Sequence, residues 1–465
     1  MTSLLLRRRA SHARSLCTSV GGSTKHLLRS SETSSGTKIL KGGPSLEALN
    51  ALIKELPPQP VSLPMLLASA RTQSPKNQLL NAQFVRRELT ARRAHVLSLL
   101  HSMPEPLTSQ PAVEQMASIY WERLRGICSF PALQSIDDVP DFDARMRISD
   151  EQVHCLSLGE TGEEERMCVT ALGAIKRGIT AESERVAVDR QLDAVFLARI
   201  GMRFLLEHYV AASGPPRDGY AGIVQLACSP FALCEEVAEE TQKRLRDSYG
   251  AAPPVMVVAG VGRDETFTFV PSHIRFIVGE LLKNSCVAAM RHHDRLVSSG
   301  ALPVDAPLRP VRIIVAVSDG SVQIKLADEA GGIRRSSLSS IWSYRPLQSK
   351  WWRPEDGLSL PLVRLCCKYF NGSLALVPVE GFGTDCYVTY MSPPSRLIQA
   401  HRHRTSQRRS VRVSLACGGN RFNRLPQDNS ERIHADSHLE KTDEPSLRSF
   451  LFDAQSRRVA PTPKS

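Results

Sequence analysis

The chain has 465 residues, 42% of them apolar, and a net charge of +12, which is enough for two or three domains with proper cores. No apolar run approaches the length of a bilayer-spanning helix. The positive charge would invite a nucleic-acid partner, but residues 1–38 hold seven Lys or Arg against Glu32, residues 395–465 hold fourteen against seven acids, and what lies between sums to about −1. Charge confined to two ends belongs to tails rather than to a binding face, so no nucleic acid is expected.

Taken in chain order, residues 1–38 carry Arg7, Arg8, Arg9, Arg14, Lys25 and Arg29 among many Ser and Thr, with no acid before Glu32. That pattern reads as a mitochondrial transit peptide, because Leu4-Leu5-Leu6 is too short for a secretory core. Helices follow near 44–56, 81–103 and 111–128, the last opened by Ser109 and Pro111. The stretch 135–165 is acidic and reads as a loop-rich insertion. Leu192, Val195, Phe196, Ile200 and Phe204 then continue a helical bundle. His208 on that helix reads as structural. After the break at Gly214-Pro215-Pro216, an acidic helix over 230–249 leads into Val255-Met256-Val257-Val258, a strand of a second domain. Eleven cysteines without a C-x-x-C pair suit a reducing compartment, where Cys serves as a small hydrophobe, and imply neither disulfides nor zinc.

Chemistry concentrates between 271 and 391. Ile274, Ile277, Val278, Leu281 and Leu282 recur at helical spacing, so Glu280 and Asn284 share another face of the same helix. A carboxylate can take a proton from a hydroxyl, and an amide oxygen one turn on is a hard ligand suited to Mg2+. Alternating Val311, Ile313, Val315 and Val317, a turn at 318–321, and Val322, Ile324 and Leu326 spell a hairpin. It ends at Asp328, which can accept a hydrogen bond from the exocyclic amine of adenine, followed by Gly331 and Gly332. Gly357-Leu358-Ser359-Leu360-Pro361 reads as a loop opening a helix, a place where free N–H groups favour phosphate. A last hairpin over 373–391 turns at Gly381-Phe382-Gly383-Thr384-Asp385. His292 and His293 read as surface residues.

The ordered boxes Glu280-x-x-Lys283-Asn284, Asp328-x-x-Gly331-Gly332, Gly357 to Pro361 before a helix and Gly383-Thr384-Asp385 before a strand resemble those of the GHKL ATPases. With Pro271-Ser272-His273-Ile274, Arg364 to Phe370, Ala82 to Leu89 with Ala94-His95, and Cys228-Ser229-Pro230, the chain is similar more narrowly to the mitochondrial pyruvate dehydrogenase kinases and branched-chain ketoacid dehydrogenase kinases over about residues 45–392. The resemblance implies an α+β protein, a helical regulatory domain at 39–222 followed by a GHKL-type α/β sandwich at 223–393, with 1–38 as transit peptide and 394–465 as a basic, disordered tail. It implies ATP and Mg2+ as cofactors, Glu280 as general base, Asn284 as metal ligand, Asp328 and Thr384 as adenine contacts, and Lys283, Gly331, Gly332, Gly357, Ser359 and Leu360 as nucleotide-binding residues.

By the same resemblance the chain is a serine kinase of the mitochondrial matrix. It acts on the E1α subunit of a pyruvate or branched-chain complex, docks on an E2 lipoyl domain and forms a homodimer. A catalytically silent nucleotide-binding scaffold, or another GHKL ATPase or histidine kinase, would share the boxes, although no sensor or receiver pattern is present. Ala330 and Ser359 stand where the family places glycines, and Val287 where it has Arg. The first two departures raise the prospect of backbone strain and of crowding at a phosphate.

Overall fold

The computed structural model describes residues 43–70, 74–153, 156–157, 160–161, 182–318, 320–338, 340–344 and 359–391. The transit-peptide and tail readings and Gly357 lie outside them. The described chain is α+β, with helices first, interrupted by a two-residue antiparallel pairing of Leu156–Ser157 with Glu160–Thr161, and the two larger sheets after residue 219.

Helix α1, Leu46–Glu55, starts where Ser45 accepts a hydrogen bond from the Ala48 N–H through its side chain, satisfying one orphan donor of the first turn. Helix α2 is Leu63–Ala70, and α3, Pro75–His101, opens on a proline at its first position, where no N–H is needed. Helix α4, Pro111–Cys128, begins as expected at Pro111, with Gln110 rather than Ser109 at the cap. The stretch expected to be loop-rich is instead largely helical: α5 runs Val139–Val153. Ser135 and Asp138 form a reciprocal capping box just before it, and Phe142 and Met146, one turn apart, enter the core. Phe130 and Tyr209 pack edge-on to Phe142, with centroids 5.4 and 5.7 Å away. Helix α6, Glu182–Ser213, completes the bundle.

A small sheet of β1 (Tyr220–Ala221), β2 (Val224–Cys228) and β4 (Phe267–Phe269) sits at the junction, in the order β1-β2-β4. Helix α7, Pro230–Tyr249, is capped by Ser229 and ended by Gly250 at φ +76°, a left-handed conformation that glycine adopts without cost. The main sheet takes β3 (Val255–Ala259), β5 (Val311–Ser318), β6 (Ser321–Asp328), β7 (Ser373–Val379) and β8 (Gly383–Met391) in the order β3-β5-β6-β8-β7. Only β3 and β5 run parallel. Helices α7, α8 (Pro271–Ser298) and α9 (Ser359–Tyr369) pack against one face, burying Ile313, Val315, Ile324, Leu326, Cys386 and Val388. Strand alternation puts Met256, Val258, Ile314, Val377 and Tyr387 on the other.

Bundle and sheet layer share an aromatic joint. Phe204 of α6 lies 5.2 Å from His273, 5.5 Å from Tyr369 and 4.9 Å from Phe370, and Phe269 lies 4.7 Å from Tyr390, centroid to centroid. His273 is fully enclosed. Burial, reinforced by nearby Arg203 and opposed by a backbone hydrogen bond at Cys366, lowers its pKa to about 3; burial likewise lowers that of His208, which bonds the Ser69 hydroxyl at 2.9 Å, to about 4. Both histidines are therefore neutral in the folded state, and unfolding lets them take protons below pH 6.5. Stability from keeping them neutral is fully present above that pH and falls as pH drops toward 3. The urea midpoint should decline from pH 7 to pH 5, and His273→Phe should flatten the slope by up to about 1.4 kcal/mol per pH unit. An unchanged slope in that variant would remove His273 from the acid response.

A polar latch lies beside the joint. Asp193 of α6 accepts from the Tyr344 hydroxyl at 2.6 Å and from Arg364 of α9 at 3.0 Å, while Phe196 packs 5.3 Å from Tyr344. Asp193→Ala strands a buried phenol and removes a charge-assisted bond, so it should destabilise by about 1–3 kcal/mol. Chemical denaturation checks this, and a midpoint equal to that of the parent would mean that solvent replaces the latch.

Candidate nucleotide and phosphoryl-transfer site

Helix α8 supplies the acid–amide pair. Its apolar residues Ile274, Ile277, Val278, Leu281 and Leu282 are all buried, which fixes the rotation of the helix and leaves Glu280, Lys283 and Asn284 neighbouring one another. Lys283 Nζ lies 2.8 Å from Glu280 Oε2. Asn284 Nδ2 donates to Ser359 Oγ at 3.1 Å, so the first residue of α9 meets the amide of α8. This contact uses the nitrogen of Asn284, not the oxygen that would serve a cation.

The second half lies across β6 and β8. Register places Thr384 opposite Asp328, and the backbone N–H groups of Thr384 and Ala330 both donate to Asp328 Oδ1, at 3.2 and 3.1 Å. Asp328 and Thr384 are buried. Burial raises the Asp328 carboxyl above its ordinary pKa, against the pull of hydrogen bonds from Ala330, Ser285 and Thr384. A buried carboxylate of this kind favours a further N–H donor, which an adenine amine provides.

Gly331 and Gly332 have φ of +82° and +70°. A Cβ at Gly332 would sit 2.2 Å from the Val379 carbonyl oxygen and one at Gly331 2.8 Å from the His292 ring. Both therefore need to be glycine. Ala330 does not: it lies outside the positive-φ residues, where Asn371 is the one non-glycine among the described residues. The substitution feared as a source of strain thus carries none. His292, read from sequence as surface, is partly exposed and has its ring beside the Gly331 turn, and His293 bonds the Ala306 carbonyl at 2.8 Å. Val287 is buried where the family has Arg. Leu360 follows Ser359 in the first turn of α9 and packs against the core.

These residues fit Mg-ATP: a hard amide oxygen, a buried carboxylate whose Oδ1 accepts from two backbone N–H groups, and two glycine positions where a side chain has no room. Among the described residues there is no cluster of three or more His, Cys, Asp or Glu able to hold a metal by itself. The seven described cysteines are all buried and unpaired.

Residues 60–225 match a family model described as mitochondrial branched-chain alpha-ketoacid dehydrogenase kinase. The mitochondrial pyruvate dehydrogenase (acetyl-transferring) kinase of Arabidopsis thaliana is 29% identical over 350 residues, covering 70% of this chain and 89% of that protein. Its Schizosaccharomyces pombe counterpart is 33% identical over 216 residues, 42% and 48% of the two chains. Isozyme 1 of Rattus norvegicus is 25% identical over 329 residues, 66% and 71%. The chain is thus similar to mitochondrial pyruvate dehydrogenase kinases over most of its length and, over residues 60–225, to the branched-chain ketoacid dehydrogenase kinase model. Among the described residues no helix is long and apolar enough to cross a membrane.

Proposed function

We propose that this chain is a mitochondrial protein serine kinase that phosphorylates the E1α subunit of a pyruvate or branched-chain 2-oxo acid dehydrogenase complex in the matrix, using Mg-ATP and switching the complex off. One observation carries the reading: Glu280, Lys283 and Asn284 neighbour one another on α8, Asn284 meets the start of α9, and Asp328 stands opposite Thr384. In this reading the α/β layer is a GHKL-type ATP-binding domain at 223–393 and the bundle at 39–222 a regulatory domain. Asp328, supported by Thr384, receives the adenine, and Gly331 and Gly332 let the backbone approach the nucleotide. Asn284 offers Oδ1 to Mg2+, while Lys283, Gly357, Ser359 and Leu360 surround the phosphates.

Bound Mg2+ would neutralise charge on the phosphates. Glu280 takes the proton of the serine hydroxyl, and its ion pair with Lys283 holds the carboxylate in place until then. Phosphoryl transfer asks little covalent work of the protein, so positioning of these groups is the main contribution.

The uncovered face of the main sheet, with Met256 and Val258 exposed by 49% and 41%, supports a homodimer joined there. Docking on an E2 lipoyl domain completes the proposal. The test is a nucleotide titration followed by radiolabel transfer to purified E1α from each complex. Label on serine of one E1α is expected. Tight ATP binding with no transfer to either would replace the kinase reading by the silent scaffold.

A further inference from the structure

We infer that Ser359 is a positioning residue for the metal ligand: it accepts from Asn284 Nδ2 and thereby fixes which atom of the carboxamide is left to face a cation. The inference rests on the proposed role of Asn284. An amide carries its oxygen and nitrogen on one carbon, so anchoring the nitrogen sets the direction of the oxygen. Without an anchor, rotation about the terminal torsion, which is broad and nearly two-fold, would present N–H groups to the metal part of the time. Ser359 is suited to the task. It is only 4% exposed, so bulk water is poorly placed to replace its hydroxyl. It also begins α9, while Leu362, Val363, Leu365, Cys366 and Cys367 bury that helix in the core, and so its Oγ is held by a rigid element. A glycine at this place has no side-chain acceptor, and the family's usual residue therefore cannot make this contact.

The test measures Mg2+ dependence of nucleotide binding by displacement of a fluorescent ATP analogue, in the presence of Mg2+ and in excess chelator. Ser359→Ala should raise the half-saturating Mg2+ concentration by about 3- to 10-fold, the scale of one neutral hydrogen bond, and weaken nucleotide binding distinctly more with Mg2+ than in excess chelator. Ser359→Thr, which keeps the hydroxyl, should restore the parent value. Asn284→Ala should raise the Mg2+ requirement at least as much, and adding Ser359→Ala to it should change nothing further. If Asn284→Ala is metal-defective but Ser359→Ala titrates like the parent, the positioning role fails while the site stands. If Asn284→Ala itself titrates like the parent, the site reading fails and the inference with it. Equal weakening with and without metal would make Ser359 a packing residue only. Should the alanine variant not fold, Ser359→Gly carries the same arm.

Discussion

Glu280→Gln is expected to bind ATP with nearly parental affinity and to lose about 10²-fold or more in serine phosphorylation, the scale of a general base. The amide keeps the shape of the side chain, which is largely buried and close-packed on α8, so folding should survive. What it loses is the negative oxygen able to receive a proton. It also loses the ion pair with Lys283 Nζ at 2.8 Å, and Lys283→Met separates the two effects. If the ion pair alone matters, Lys283→Met will match Glu280→Gln in turnover; if proton transfer matters, the lysine variant will retain most of its turnover per bound nucleotide. Single-turnover transfer to E1α at saturating ATP reads both. A glutamine variant as fast as the parent would remove Glu280 from the chemistry.

How much of this was readable beforehand depends on whether local pattern or distant contact decides each feature. The helix now seen as Pro230–Tyr249 and the hairpin of Val311–Ser318 with Ser321–Asp328 follow from signals within a few residues, a serine cap and a terminal glycine in one case and strict alternation in the other. Helix Val139–Val153 was missed because its acidic composition masks two widely spaced core residues, Phe142 and Met146, although the Ser135–Asp138 cap was present to find. The sheet of Tyr220–Ala221, Val224–Cys228 and Phe267–Phe269 was missed because its strands are short and its pairings lie up to about forty residues apart.

At the candidate site the sequence named the residues but not the contacts. Asn284 and Ser359 are 75 residues apart and Asp193 and Arg364 are 171 apart, separations at which no periodicity speaks. Nor could sequence alone tell that Ala330 keeps an ordinary φ while its two following glycines do not. The turn places its left-handed positions at Gly331 and Gly332, so the alanine occupies a place with no special requirement, and its N–H is used to hold Asp328.

Gly383→Ala should be the most damaging small substitution in the pocket. A Cβ there would lie 1.9 Å from the Asp328 carbonyl oxygen, 2.9 Å from its carbon and 3.0 Å from the Glu329 Cα. All three neighbours are backbone, so no side chain can swing aside, and the strands must part where Thr384 pairs with Asp328. Overpacking of this kind costs about 1–3 kcal/mol. Parting the strands also breaks the Thr384 N–H bond to the carboxylate, which is proposed to read adenine. Nucleotide affinity should therefore fall by about 10-fold or more, the equivalent of roughly 1.4 kcal/mol. Gly381→Ala is the matched control: Gly381 has φ +83° but nothing within 4 Å of its absent Cβ, so the strain of a left-handed alanine, about 1–2 kcal/mol, should appear in the melting temperature with little change in ATP binding. Thermal melts and nucleotide titration on the two variants separate the effects. Parental ATP affinity in Gly383→Ala would show that the Asp328–Thr384 pairing does not shape the nucleotide pocket.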